Sequence, residues 1–128
     1  MKLFFILTLF ILSCCSARDI TLNTGITEIT FGSGGGFTGA TTIYTLKADG
    51  KLYEGENLLK SLENKSTLAI FKEGKGLLKY SFNEIGNMNS FIEINSGKST
   101  NRIVWPYGTN QIDSRVISLY SKLNQLTK

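Results

Sequence analysis

The stretch Ala40-Thr-Thr-Ile-Tyr-Thr-Leu-Lys-Ala-Asp49-Gly50-Lys-Leu-Tyr-Glu54 decides the fold. Its first half is rich in β-branched and aromatic residues, which suit a pleated strand. Asp49-Gly50 then supplies a turn signal, since both residues tolerate positive φ. Lys51-Leu-Tyr-Glu54 reads as the return strand. Residues 40–54 are therefore a β-hairpin, and the remaining elements have to pack around it.

Upstream, Ile26-Thr-Glu-Ile-Thr-Phe31 reads as a strand that the glycine run Gly32–Gly39 breaks. Downstream, residues 55–66 carry Leu58, Leu59 and Leu62, compatible with a helical turn or with a further edge strand. Ser66 can cap a helix over about 67–74, with Leu68 and Phe71 on one face and Gly74 or Gly76 at its end. A strand at 67–71, paired with the alternating Leu78, Tyr80 and Phe82, is the rival reading; the helix is preferred. Asn83–Ser90 reads as a loop. Phe91–Asn95 and Asn101–Trp105, joined by Ser96-Gly-Lys-Ser99 and stopped by Pro106, form a second hairpin. Asp113 caps a final helix, Ser114–Leu126, whose Val116, Leu119, Tyr120, Leu123 and Leu126 make one apolar stripe. Lys122 and Lys128 suit the negative end of that helix. The sum is an α+β domain: an antiparallel sheet of about five strands, from two hairpins, with one or two helices on one face.

The N-terminus carries a different message. Lys2 precedes an apolar run, Leu3–Leu12, of ten residues. That length fits a secretory signal core and is about half of the roughly 20 residues that span a bilayer. The run ends at Ser13-Cys14-Cys15, which resembles the lipobox of bacterial lipoproteins, with Cys14 as the acylated residue and Cys15 as the alternative. The expected division is a signal peptide at 1–13, a lipidated tether at 14–25 and a single α+β domain at 26–128. A thioether-linked diacylglycerol with an added N-acyl chain buries dozens of methylenes at about 0.8 kcal/mol each, which gives lasting membrane attachment. This resemblance implies a location in the cell envelope, on the extracytoplasmic side of the inner or outer membrane.

Composition bounds the chemistry. Cleavage before Cys14 leaves thirteen basic against ten acidic residues, a net charge of +3. The three arginines are far apart and the lysines are interrupted by acids, unlike the basic stripe of a nucleic-acid binder. Both cysteines lie at the leader, so the domain has no disulfide framework and no thiolate metal site. Histidine is absent, which removes the usual general base and the commonest transition-metal ligand. Acid–base chemistry would have to use carboxylates such as Glu28, Glu93 and Asp49.

Gly34-Gly-Gly-Phe-Thr-Gly39 matches the dinucleotide pattern G-x-G-x-x-G, but strand sequence follows where that motif needs a helix N-terminus. Ala40 stands where a P-loop has lysine. No nucleotide and no cofactor is therefore expected. The glycines serve either as a tight connection between strands or as a contact surface. As a contact surface, the partner-binding residues are Gly35, Gly36, Phe37 and Gly39, joined by Trp105 and Tyr107 at the end of the second hairpin.

Two resemblances add to this reading. Gly34–Gly39, Asp49-Gly-Lys-Leu-Tyr53, Gly86-Asn-Met88 with Phe91, and Arg102-Ile-Val-Trp105 together look like a group of small lipoproteins of Bacteroidota, a group that brings no activity with it. Gly35-Gly-Phe-Thr-Gly39, followed by hairpin, helix, strands and closing helix, is similar to emfourin-type inhibitors of thermolysin-like metallopeptidases. That likeness implies that the loop around Phe37 faces a peptidase cleft.

The expectation is a membrane-anchored extracytoplasmic lipoprotein, not an enzyme, acting as a protein-binding module. Its partner would be a peptidase, which it inhibits, or another envelope protein. The alternative is a structural or accessory envelope lipoprotein without a specific target. A carboxylate-based hydrolase would need two acids about 5–9.5 Å apart in one cleft.

Overall fold

A computed structural model describes residues 19–36 and 39–128. Residues 19–24 are helical (α1). They are followed by β1 (Glu28–Gly35), β2 (Thr41–Lys47), β3 (Lys51–Glu54), β4 (Asn57–Ser61), α2 (Asn64–Lys75), β5 (Met88–Asn95), β6 (Thr100–Pro106) and α3 (Ser114–Leu126). The strands form one antiparallel sheet in the order β4-β3-β2-β1-β5-β6. The α+β architecture matches the sequence, with six strands instead of about five. The additional strand is β4, so the ambiguous 55–66 stretch is an edge strand over 57–61 and gives its last three residues to α2.

Register explains the core. Ile29 lies opposite Leu46 on one side and Ile94 on the other, and Phe31 lies opposite Tyr44 and Ile92. Directly opposed residues share a face, so these side chains line a single surface. Ile70 and Phe71 of α2 and Val116, Leu119 and Leu123 of α3 pack in the same buried cluster. Each such large side chain contributes about 1.5–3 kcal/mol on burial. Gly74 lets α2 approach the sheet closely, since a Cβ there would stand 3.0 Å from Ile29 Cδ1.

Several local expectations are corrected. The glycine run does not break β1. The strand continues through Gly32 to Gly35, because β2 and β5 both supply ladder partners along that stretch. In the first hairpin only Gly50 is left-handed, at φ 87°. Its N–H donates to the Lys47 carbonyl at 2.9 Å, and Asp49 Oδ1 accepts from the Lys51 N–H at 3.0 Å. This is a three-residue loop with a glycine in the αL position.

The 67–74 helix is real but starts earlier, at Asn64, with Glu63 in the N-cap position and no side-chain cap bond. Ser66 lies inside the helix. Ile70 joins Phe71 in the core, while Leu68 is half-buried at its margin. Residues 77–82 form no strand pair. Instead Asn83 bridges Val104 in parallel, and the Phe82 carbonyl and Glu84 N–H bond Val104. That segment covers part of the outer edge of β6.

Part of the span read as a tether is folded. Ile20 of α1 is 1% exposed and belongs to the main core. Thr24 closes the helix with a 2.7 Å bond from its hydroxyl to the Ile20 carbonyl. Packing therefore begins before Ile26. The final helix agrees with the sequence at both ends, with Asp113 accepting from the Arg115 N–H. Lys122 is engaged across the helix pair with Glu73 of α2, not with the helix terminus.

Candidate functional site

Antiparallel pairing brings four chain segments to one end of the sheet. Gly35 is opposite Met88, Gly34 is opposite Thr41, and Asn89 is opposite Pro106. The end of β1, the starts of β2 and β5 and the end of β6 therefore meet there. Gly35 and Gly36 have φ values of 107° and 76°, a region costly for residues with a Cβ. The Gly36 N–H donates to the Asn87 carbonyl at 2.8 Å. A Cβ on Gly35 would collide with that same carbonyl oxygen, whereas one on Gly36 would only touch Met88. Gly39 closes back with its N–H on the Gly36 carbonyl at 3.3 Å. Tyr107 reaches the same end through its N–H, which donates to the Met88 carbonyl at 2.9 Å. Met88 is 55% exposed and Tyr107 is 86% exposed.

Of the residues expected to contact a partner, Gly35, Gly36, Gly39 and Tyr107 thus gather at one end of the sheet. Trp105 reaches the same end but is not exposed for contact. It is 4% exposed and stands edge-on to Tyr120, with ring centroids 5.0 Å apart. As the register partner of Ser90 it points to the helix side, where it closes the core. Phe37, Cys14 and Cys15 lie outside the described residues. Met88 and Ile117 are exposed near this end, and neither is among the contact residues expected from the sequence. Met88 sits in what reads as a polar loop, and its exposure depends on β5 starting there.

A cavity of about 450 Å³ opens on the helix side of this end. Ser33 and Ser90 line its floor, with Trp105, Tyr120, Ile117 and Met88 around them. On the opposite, helix-free face lies a shallower groove of about 410 Å³ beside Phe91, Val104 and Arg102. There the Arg102 guanidinium lies 4.2 Å from the Phe91 ring centroid and pairs with Glu93 at 3.0 Å. Its charge is already partnered.

The candidate acids are dispersed by role. Glu93 accepts from Arg102, and Asp49 is used in the first hairpin turn. Glu28 lies on the same face as Glu93, opposite Lys47 and Asn95. The carboxylate held below its usual range is Asp113, where hydrogen bonds from the Arg115 side chain and then from its N–H favour the charged form. The Arg115 guanidinium is raised correspondingly by the Asp113 carboxylate. Those groups cap a helix. Among the described residues no three of His, Cys, Asp and Glu cluster as metal ligands, and no helix is long and apolar enough to cross a membrane. What the sheet end offers is apolar side chains beside a tight glycine backbone, an arrangement suited to contact.

No protein-family model matches this chain, and no curated protein or solved structure shows significant similarity to it.

Proposed function

We propose that this chain is an extracytoplasmic lipoprotein that docks a protein partner through the glycine end of its sheet without catalysing a reaction. The observation that carries this reading is exposed Met88, which lies opposite Gly35 in the sheet and accepts from the N–H of exposed Tyr107. Large apolar side chains held side by side in solvent mark interaction surfaces.

The orientation of β1 adds support. The chain enters the sheet at Glu28 and reaches the glycines at Gly35, about 23 Å away at about 3.3 Å per residue. The glycine end therefore lies at the far end of β1 from the point where the chain enters the sheet, clear of that entry, where a partner can reach it. A peptidase is one kind of partner that such an end would suit, by filling its cleft with a glycine-flanked loop.

The test is site-specific photo-crosslinking of the full chain in its native envelope. A crosslinker at position 107 should give a discrete protein adduct, and one at position 56, beside the β4 edge, should not. Equal labelling at both positions, or none at 107, would dismiss the docking role. Added to a thermolysin-like metallopeptidase, the chain should inhibit it if the partner is of that kind, and Tyr107→Ala should relieve the inhibition.

A further inference from the structure

Strand alternation should keep the helix-facing side of the sheet apolar, and along most of its length it does. Ile29 and Phe31 of β1, Ile92 and Ile94 of β5, and Leu46 of β2 are all buried there. Toward the glycine end the same face turns polar on three neighbouring strands. Ser33 lies opposite Thr42 on one side and Ser90 on the other, and Ser90 lies opposite Trp105. The row across the sheet is therefore Thr42, Ser33, Ser90, Trp105. Hydroxyls at core-facing positions on three adjacent strands run against the pattern that builds a core. None of the three hydroxyls has a hydrogen-bond partner among the described residues, and none is a buried atom left unsatisfied. They are open to solvent.

The inner part of this shelf is the floor of the 450 Å³ cavity, a volume within the range of small-ligand sites. Its lining contains no Asp, Glu, Lys or Arg, although the chain holds 24 such residues. An anionic or cationic ligand would find no counter-charge. A purely apolar ligand would strip water from Ser33 and Ser90 and leave them unpaired, at a cost of about 1–3 kcal/mol per group. The matching ligand is uncharged, rich in hydroxyls and flat enough on one side to lie against aromatic rings. Tyr107, almost fully exposed at the rim, and Tyr120 in the wall supply those rings.

We propose that this cavity binds a neutral sugar unit, with Ser33 and Ser90 bonding its hydroxyls and the aromatic wall receiving its C–H face. Neighbouring strands are about 4.7–4.9 Å apart, so a single hexose ring spans both serines. The inference goes beyond protein docking: it shares Met88 and Tyr107 with that surface but rests on the serine shelf and the uncharged wall.

The chain has one tryptophan, and it lines this cavity, so its emission reports on this site. The full chain in detergent is titrated with maltotriose, cellotriose and N,N′-diacetylchitobiose, with trigalacturonate and the peptide Gly-Tyr-Gly as comparisons. Calorimetry and Trp105 emission are read together. At least one neutral saccharide should bind saturably and shift the emission, and trigalacturonate should bind more weakly. The double variant Ser33→Ala/Ser90→Ala should weaken binding roughly tenfold or more with an unchanged melting temperature. The proposal is overturned if no neutral saccharide binds, or if heat is released without an emission change. It is equally overturned if the double variant binds as tightly as the parent, or if Gly-Tyr-Gly binds where the sugars do not.

Discussion

The Tyr120 hydroxyl donates to the Gly32 carbonyl oxygen at 3.1 Å, joining the last helix to the first strand across 88 residues of chain. The same ring stacks edge-on against Trp105 of β6. One side chain thereby links α3, β1 and β6 just below the cavity. Tyr120→Phe should keep the ring contact and lose only the hydrogen bond. The expected cost is about 0.5–1.5 kcal/mol, read as a lower denaturation midpoint with Trp105 emission close to that of the parent.

Gly32 is fixed by space and not by φ. A Cβ there would run into the Thr42 carbonyl oxygen and come within 3.1 Å of the Phe91 ring. The obstructing oxygen is backbone in a paired strand and cannot swing aside. Gly32→Ala should cost about 3 kcal/mol or more, the upper end for overpacking. Gly108 is left-handed at φ 82° with open space around it. Gly108→Ala should cost only the backbone term, about 1–2 kcal/mol. Denaturant melts of the two variants separate these causes.

Acid should loosen the start of α3 before the core. The Asp113 carboxyl is held below its ordinary range by Arg115. A depressed folded pKa means the stabilisation is fully present above the unfolded value, about 3.9, and is lost as pH falls through the folded one. Helical circular dichroism and melting temperature should therefore decline below about pH 4. Asp113→Asn, which still caps but cannot titrate, should flatten that part of the profile.

The ion pair between Lys122 and Glu73 and the packing of Leu119 both hold α3 in place, and they differ in weight. The pair is solvent-exposed on both sides, so Lys122→Ala should cost no more than about 1 kcal/mol, less at high salt. Leu119 is fully buried in the shared core. Leu119→Ala should cost about 2–5 kcal/mol by lost transfer energy and the cavity left behind. Melts at low and high salt distinguish the two.

Anchoring is tested at the thiols. Cys14→Ser should abolish incorporation of labelled palmitate and leave the precursor uncleaved, while Cys15→Ser should be acylated as the parent is. Mass spectrometry of the mature N-terminus provides the check. A mature N-terminus without acyl chains would remove the lipoprotein reading.

Legibility followed the range of the forces involved. Both hairpins and the closing helix were readable because each is specified within a short window. Asp49-Gly50, Ser96–Ser99 with Pro106, and Asp113 with the Val116–Leu126 stripe are signals a chain carries locally. The candidate site was legible only in pieces. Gly35, Gly36 and Tyr107 could be suspected singly, since glycine runs and a Trp-Pro-Tyr step stand out. Their meeting point could not, because it depends on register between strands more than fifty residues apart in the chain. Ser33 and Ser90 did carry a signal, being polar where alternation calls for apolar residues, but it becomes readable only once the strand bounds and the buried face are known.

Residue type and short-range spacing are enough for the α+β class, the two hairpins, the helix at Ser114–Leu126 and the absence of imidazole chemistry. Tertiary structure alone decided that Gly32–Gly35 is strand, that 57–61 is an edge strand, that Ile20 joins the core and that Trp105 is buried while Tyr107 is not. The reason is physical. A residue's propensity is worth a few tenths of a kcal/mol to about 1 kcal/mol. Two flanking strands that supply ladder hydrogen bonds, or a core that covers a side chain, outweigh it, and both are built from residues distant in sequence.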